Sequence, residues 1–296
     1  MSDYRHVTRR DFVRDGTLGA LALGAGLTAA ASAAPGGGDK SLVALVRDEK
    51  ALDAANAVDK AILKKMLDET IKSVTGESSA AAGWKKIIKP DDVVGLVPTT
   101  AVNPTHPELV EAVREAVLEA GVAADRVQDV QRKKDLAAKC TALVSMPALK
   151  VHQLTGLGTV IKNYIMFSDN ERSSYHMENN GNLGEVWNMP TAKGKTRLVL
   201  VDTLRPLFHG AERRPSPQYF WNYNGLLAST DPVAAETIGL TIIMAKRKEF
   251  KGETWELTPP PFCVEAADKK YKLGTSDPNK IALKVSGWEK DLLLST

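Results

Sequence analysis

Short apolar runs alternate with longer amphipathic segments along the first half of the chain. The runs at 41–46, 93–97 and 141–146 predict buried strands, because strands covered on both faces are apolar almost throughout. Between the first two runs, residues 51–74 place apolar side chains at helical spacing, which predicts a helix packed on the sheet.

A second helix is predicted over residues 105–120. Thr105 and Glu108 form a capping-box pattern, Pro107 suits the first helical turn, and Gly121 provides a stop. Asp231 followed by Pro232 is typical of the start of a later helix. Further strands are predicted at 127–130, 197–201, 226–228 and 281–285. This order predicts one α/β domain with a mostly parallel sheet flanked by helices, a Rossmann-like layering without a dinucleotide fingerprint.

The composition excludes several classes of partner and cofactor, and says less about the fold. The chain has 296 residues, 43% of them hydrophobic, and a net charge of +3 from 39 basic and 36 acidic residues, so no nucleic-acid partner is expected. Its two cysteines, Cys140 and Cys263, cannot by themselves hold an iron–sulfur cluster or a structural zinc ion, and we expect them not to pair. No haem motif is present. The sequence therefore identifies no cofactor, and a divalent metal remains one candidate.

The N-terminus carries an export pattern. Residues 8–14, with Arg9 and Arg10, resemble a twin-arginine signal, and a weakly apolar run and a small-residue cleavage site follow. We therefore divide the chain into a signal peptide at 1–33, a glycine-rich spacer at 34–40 and a single domain at 41–296. The alternative is an ordinary N-terminal helix. Export by this route predicts a periplasmic or otherwise exported protein with no transmembrane anchor after cleavage.

The segment 150–176 gathers most of the candidate chemistry. Lys150 and His152 project to the same side of an extended segment, where an ammonium and an imidazole could meet one ligand. Lys162 and Asn163 follow a glycine-punctuated run that favours anion binding. This pattern indicates a pocket at the edge of the sheet, and the alternative is a solvated loop.

Three more residues complete the candidate set. His176 lies in a polar loop and is assigned to catalysis with His152 and Lys162, while His106, at a helix start, and Asp202, at a strand end, are assigned to substrate binding with Lys150 and Asn163. The two pocket histidines together with His106 or Asp202 could form a metal site, although the spacing is irregular.

The order of several motifs resembles the domain-of-unknown-function 362 family. They are KPDDVVGLV at 89–97, NPTHPELV at 103–110, MPALKVH at 146–152, GTVIKN at 158–163, DPVAAE at 231–236 and LGTSDPNKI at 273–281. The resemblance implies an α/β domain without a settled reaction. Many members carry ferredoxin-like cysteine motifs, which this chain lacks, and Asp91 stands where asparagine is frequent.

Together these observations favour an exported enzyme acting on a small anionic molecule, a carboxylate or a phosphate. Cationic groups next to a carboxylate suit isomerase, racemase or lyase chemistry, with Lys150 and Lys162 polarising an oxyanion and His152 transferring a proton. The alternative is a non-catalytic ligand-binding protein or an accessory subunit for an exported redox partner.

Overall fold

The described part of the protein, residues 40–294 of a computed structural model, is built on one mixed sheet of nine strands. The predicted signal peptide and spacer residues 34–39 lie outside the described residues. The strands are β1 (Ser41–Arg47), β2 (Val94–Pro98), β3 (Val127–Asp129), β4 (Ala142–Met146), β5 (Ala148–His152), β6 (Gly156–Leu157), β7 (Thr196–Leu207), β8 (Gly225–Ser229) and β9 (Ile281–Gly287). The α-helices are α1 (Lys60–Thr75), α2 (Ala80–Ile87), α3 (Pro107–Glu119), α4 (Lys134–Lys139), α5 (Gly184–Trp187), α6 (Pro232–Lys251) and α7 (Phe262–Lys269).

The sheet is mostly parallel, as predicted. Its main path runs β3-β2-β4-β7-β8-β1-β9, and β8 is antiparallel to both of its neighbours while the other pairs on this path are parallel. Strand β5 continues beside the second half of β7 in parallel, and β6 folds back on β5 as a short antiparallel hairpin. The α/β class with helices flanking the sheet is therefore confirmed.

Side chains alternate between two hydrophobic cores on the two faces of the sheet. In β1, Val43 and Leu45 enter one core, while Ala44 and Val46 enter the other. The first core is closed by α6, α7 and the 3-10 helix Ile161–Phe167, and the second by α1, α2 and α3. Because both faces are covered, these strands are apolar almost throughout, which is why they were recognisable in the sequence.

Helix termini follow the expected capping chemistry at two places. Asp59 accepts hydrogen bonds from the backbone of Ala61 and Ile62 at the start of α1, and Gly76 ends that helix with φ 72°. Asp231 caps α6 as predicted, accepting from Val233 and Ala234. The helix continues to Lys251 and stops at Gly252.

The predicted capping box at the start of α3 is wrong. The N-cap position is His106, and no side chain caps this helix. The Thr105 hydroxyl instead accepts the Thr99 N–H at 2.9 Å and donates to the Met146 carbonyl at 2.6 Å. Thr105 is buried between the ends of β2 and β4, so its hydroxyl satisfies long-range backbone groups that local spacing does not reveal.

Strand β7 does not end at Asp202, which corrects the predicted strand end. It continues to Leu207, with a register irregularity opposite β5 between Ala148 and Lys150. Asp202 therefore lies inside the strand and is 2% exposed. Within residues 40–294, none of the helices combines the length and the apolar character needed to cross a bilayer.

Candidate functional site

A cavity of about 520 Å³ opens where the chain leaves β2 and where β5 ends. This volume lies within the roughly 300–1,000 Å³ typical of small-molecule sites. Five of the seven residues assigned to a site from the sequence line it, namely Lys150, His152, Lys162, Asn163 and His176. The rest of the wall comes from Thr99, Thr100, Ala101, Val102, Gln131, Arg132, Gln153, Leu154, Gly158, Ile165, Met166, Glu171, Arg172 and Ser173.

Lys150 is a buried lysine that holds the loop after β2. Its side chain is buried, and its ammonium donates hydrogen bonds to the carbonyls of Ala101 and Val102. Val102 has φ 46°, a left-handed conformation that is strained for a β-branched residue. Burial, together with the nearby charge of Lys162, lowers the pKa of Lys150 to about 7.

Lys162 stands on the 3-10 helix Ile161–Phe167, whose start is fixed by a carboxylate. The Glu236 side chain accepts the Val160 N–H at 2.7 Å and the Ile161 N–H at 3.1 Å. Glu236 is fully buried in α6, and burial raises its pKa to about 7 against the lowering effect of these two hydrogen bonds. The backbone immediately before Lys162 is therefore anchored to the core.

Asn163 anchors the other side of Lys162. Its amide donates to the Val97 carbonyl at 2.7 Å and to the Ser145 hydroxyl at 3.0 Å, so it joins the ends of β2 and β4. The Asn163 side chain thus has a structural partner on each strand and is 6% exposed. Within the described residues, the ammonium of Lys162 itself has no hydrogen-bond acceptor and no ion-pair partner.

Burial controls the protonation of Lys162. Desolvation lowers its pKa to about 8, the neighbouring Cys263 thiol acts in the opposite direction, and the charge of Arg172 lowers the pKa further. Near neutral pH this amine is consequently mostly protonated but close to losing its proton. Lysines that lose a proton this readily serve as bases or nucleophiles in enzymes.

His152 and His176 stack beside the two lysines. Their ring centroids lie 5.8 Å apart with planes inclined by 20°. The Leu154 N–H donates to His152 Nδ1 at 3.1 Å, so the neutral ring carries its proton on Nε2. Burial, then the charges of Lys162, His176 and Lys150, lower the pKa of His152 to about 3. Burial and nearby cations also lower the pKa of His176, whose buried Nε2 lacks a partner among the described residues.

The lining charges are strongly unbalanced. Lys150 and Lys162 lie inside the cavity, Arg132 and Arg172 lie exposed at its rim, and Glu171 is the one acidic residue of the wall within the described chain. Such a site attracts an anion, because two ammonium groups that are shielded from much of the solvent and two guanidinium groups face one carboxylate in the described wall.

Sequence reasoning missed three residues here. Arg132 reaches the site through a left-handed turn, with φ 62° and its Nε donating to the Thr100 hydroxyl at 3.2 Å, and no local pattern marks it. Arg172 lies within the segment 150–176, but no residue pattern assigned it to the site. Glu236 was noted only as part of a motif, and its contact with Val160 and Ile161 spans 75 residues or more of sequence.

His106 and Asp202 lie together and outside the wall of this cavity. His106 Nδ1 and its backbone N–H lie 2.7 and 2.8 Å from Asp202 Oδ2, and the other carboxylate oxygen accepts the Leu204 N–H at 3.0 Å. Burial lowers the pKa of His106, but the hydrogen bond and charge of Asp202 outweigh it and raise the pKa overall. The pair therefore fastens the start of α3 to β7.

Within residues 40–294, no three or more His, Cys, Asp or Glu side chains are arranged so that they could hold a metal ion. His152 and His176 are close to each other, but His106 and Asp202 belong to a separate contact. Cys140 and Cys263 are both buried and free.

Comparisons with known proteins give one match. A family model described as Domain of unknown function (DUF362) matches residues 127–241. This segment includes the cavity residues from Gln131 to His176 as well as Glu236, whereas the loop 99–102 lies before it. Searches of curated proteins and of solved structures found no match. Over residues 127–241, the chain is therefore similar to the DUF362 family.

Proposed function

We propose that the cavity binds a small anion, a carboxylate or a phosphate, and that the protein is an enzyme that moves a proton on it. The observation that carries this proposal is the charge of the wall. Among the described lining residues of this cavity of about 520 Å³, four cations face one carboxylate, that of Glu171; the cations are Lys150, Lys162, Arg132 and Arg172. An anion would supply the missing negative charge and the hydrogen-bond acceptors for Lys162.

The lining residues divide into those that would bind the anion and those that would take part in the chemical step. Arg132 and Arg172 at the rim would attract the anion and orient it, and Lys150 would offer positive charge while it keeps the 101–102 loop in place. Lys162 is the candidate base, since its neutral form is accessible near pH 8. His152 presents Nε2–H as the candidate hydrogen-bond donor, and His176 supports its ring by stacking.

This arrangement suits chemistry at a carbon next to a carboxylate. Removing a proton from that carbon places charge on the carboxylate oxygens, and cations already fixed around them stabilise that charge without reorganisation. The proposed reaction class is therefore isomerisation, racemisation or elimination by proton abstraction.

One observation favours a second candidate, a ligand-binding protein without catalysis. The pKa of His152 lies near 3, far from the range in which a histidine exchanges protons efficiently at neutral pH. In that case the same cations would hold the anion for transport or delivery to an exported partner subunit. The twin-arginine pattern at 8–14 supports the proposal that the protein is exported.

Solvent exchange separates the two candidates. The full chain is incubated in deuterated buffer with a panel of small carboxylates, and proton NMR follows loss of the signal from the carbon next to the carboxylate. The enzyme proposal expects exchange with the wild type and with Lys65→Met, an exposed lysine of α1, and its loss with Lys162→Met. Saturable binding without exchange for every compound would favour the second candidate.

A further inference from the structure

Lys162 differs from the other cations of the cavity because its side chain has no hydrogen-bond or ion-pair partner within the described chain. The Lys150 ammonium already donates to two backbone carbonyls, and the arginines at the rim are solvated. The Lys162 side chain is partly buried, and its amine has no acceptor within residues 40–294. Partial burial of an ammonium without a partner is costly, so the neutral amine, with its free lone pair, is favoured more than at an ordinary lysine.

The protein nevertheless fixes the backbone on both sides of this amine. Glu236 holds the Val160 and Ile161 amides, and Asn163 is bonded to the ends of two strands. Only the side chain of Lys162 is left without attachments, and it faces the cavity. A firmly mounted but unpaired amine next to a second cation is the arrangement that activates lysine nucleophiles.

We propose that Lys162 is a covalent nucleophile that condenses with the aldehyde or ketone group of a small anion held in the cavity. This inference rests on the proposed function, because the anionic group brings the carbonyl to the amine. The Nζ lone pair attacks the carbonyl carbon, a C–N bond forms, and the C=O π pair moves to oxygen, which takes up one proton to give a carbinolamine. The nitrogen loses its two protons, the hydroxyl group takes up a second proton and leaves as water, and an imine remains, so the step requires no oxidant or reductant.

Two neighbours support this chemistry. The charge of Arg172 lowers the pKa of Lys162 and so favours the neutral form of the amine. His152 holds its proton on Nε2 because Nδ1 accepts the Leu154 N–H, and a hydrogen-bond donor of this kind assists departure of the carbonyl oxygen as water.

Reductive trapping tests the inference. The full chain is mixed near neutral pH with pyruvate, 2-oxoglutarate or dihydroxyacetone phosphate, sodium cyanoborohydride is added, and peptide mass mapping locates the adducts. Each compound is paired with its hydroxyl analogue, and calorimetry measures the binding of both members. Near pH 7.5 the neutral fraction of Lys162 exceeds that of an ordinary lysine by on the order of a hundredfold, so Lys162 should be labelled first.

An adduct concentrated on Lys162, absent from the exposed Lys65 and absent from the hydroxyl analogues, supports the inference. Lys162→Arg keeps the positive charge and should bind the anion without trapping it. Adducts spread evenly over surface lysines would overturn the covalent role. Binding of both members of each pair without any adduct would also overturn it, but would leave the anion site intact. Binding of neither member of any pair would overturn the anion site and the covalent role together.

Discussion

Replacing Lys162 with methionine should stabilise the unliganded protein, and by an amount that depends on pH. Lys162 is a partly buried amine whose pKa falls from its ordinary value of 10.5 to about 8 on folding. Its folded form therefore binds protons less tightly than its unfolded form. Below pH 8 both forms are protonated, and folding carries the full cost of desolvating the charge.

The size of the effect follows from the shift. The fall of the pKa from 10.5 to about 8 corresponds to at most roughly 3 kcal/mol at about pH 6, because the side chain keeps some contact with water. By about pH 10 the folded amine is already neutral, and the remaining cost is below about 1 kcal/mol. Methionine has similar length and no charge, so any packing change that it introduces is the same at both pH values.

Urea unfolding followed by tryptophan fluorescence measures the difference, since Trp84 and Trp187 are buried. We expect the stability gain of Lys162→Met over the wild type to shrink by about 2 kcal/mol from about pH 6 to about pH 10. Lys65→Met, on the exposed face of α1, should show no such trend. A gain that stays constant with pH, or a loss at low pH, would show that Lys162 is not a desolvated cation.

Three further predictions concern other parts of the molecule. Burial raises the pKa of Glu236 to about 7, so the protonated form that favours folding is lost as pH rises. The free energy of unfolding of the wild type should therefore fall by roughly 3 kcal/mol relative to that of Glu236→Gln between about pH 4 and pH 8, as measured by urea titration. Anion affinity should fall as pH rises through the pKa of Lys162 and level off near the affinity of Lys162→Met, and calorimetry in two buffers of different ionisation enthalpy should detect proton uptake on binding near that pKa. Cys140 and Cys263, both buried and with thiol pKa values raised by burial, should react with a thiol reagent only after unfolding, and rapid labelling of the folded protein would contradict their placement.

Much of the fold was predictable because its signals are local. Apolar runs mark the strands that both faces bury, and the pair Asp231-Pro232 marks the start of α6. Lys150, His152 and Lys162 could be singled out for the same reason, since they lie close together in the sequence, just beyond a buried strand.

The remainder depended on contacts between distant segments. Thr105 matches a capping box, but its hydroxyl is used between β2 and β4, and Asp202 matches a strand end, but β7 continues past it. The partner that Asp202 finds in His106 lies 96 residues away. Arg132 comes from the segment just before α4, and Glu236 comes from α6. Only the assembled sheet brings both of them near Lys162.

The most direct test of an anion site in this cavity is calorimetric titration of the full chain with inorganic phosphate and a panel of small carboxylates. We expect saturable binding of at least one of these anions at about pH 7, weakened by at least about tenfold in Lys162→Met and unchanged in Lys65→Met, because one lost charge-assisted contact is worth about 1.5–3 kcal/mol. Equal affinity in all three proteins would place the anion elsewhere, and no binding by the wild type would contradict the site altogether.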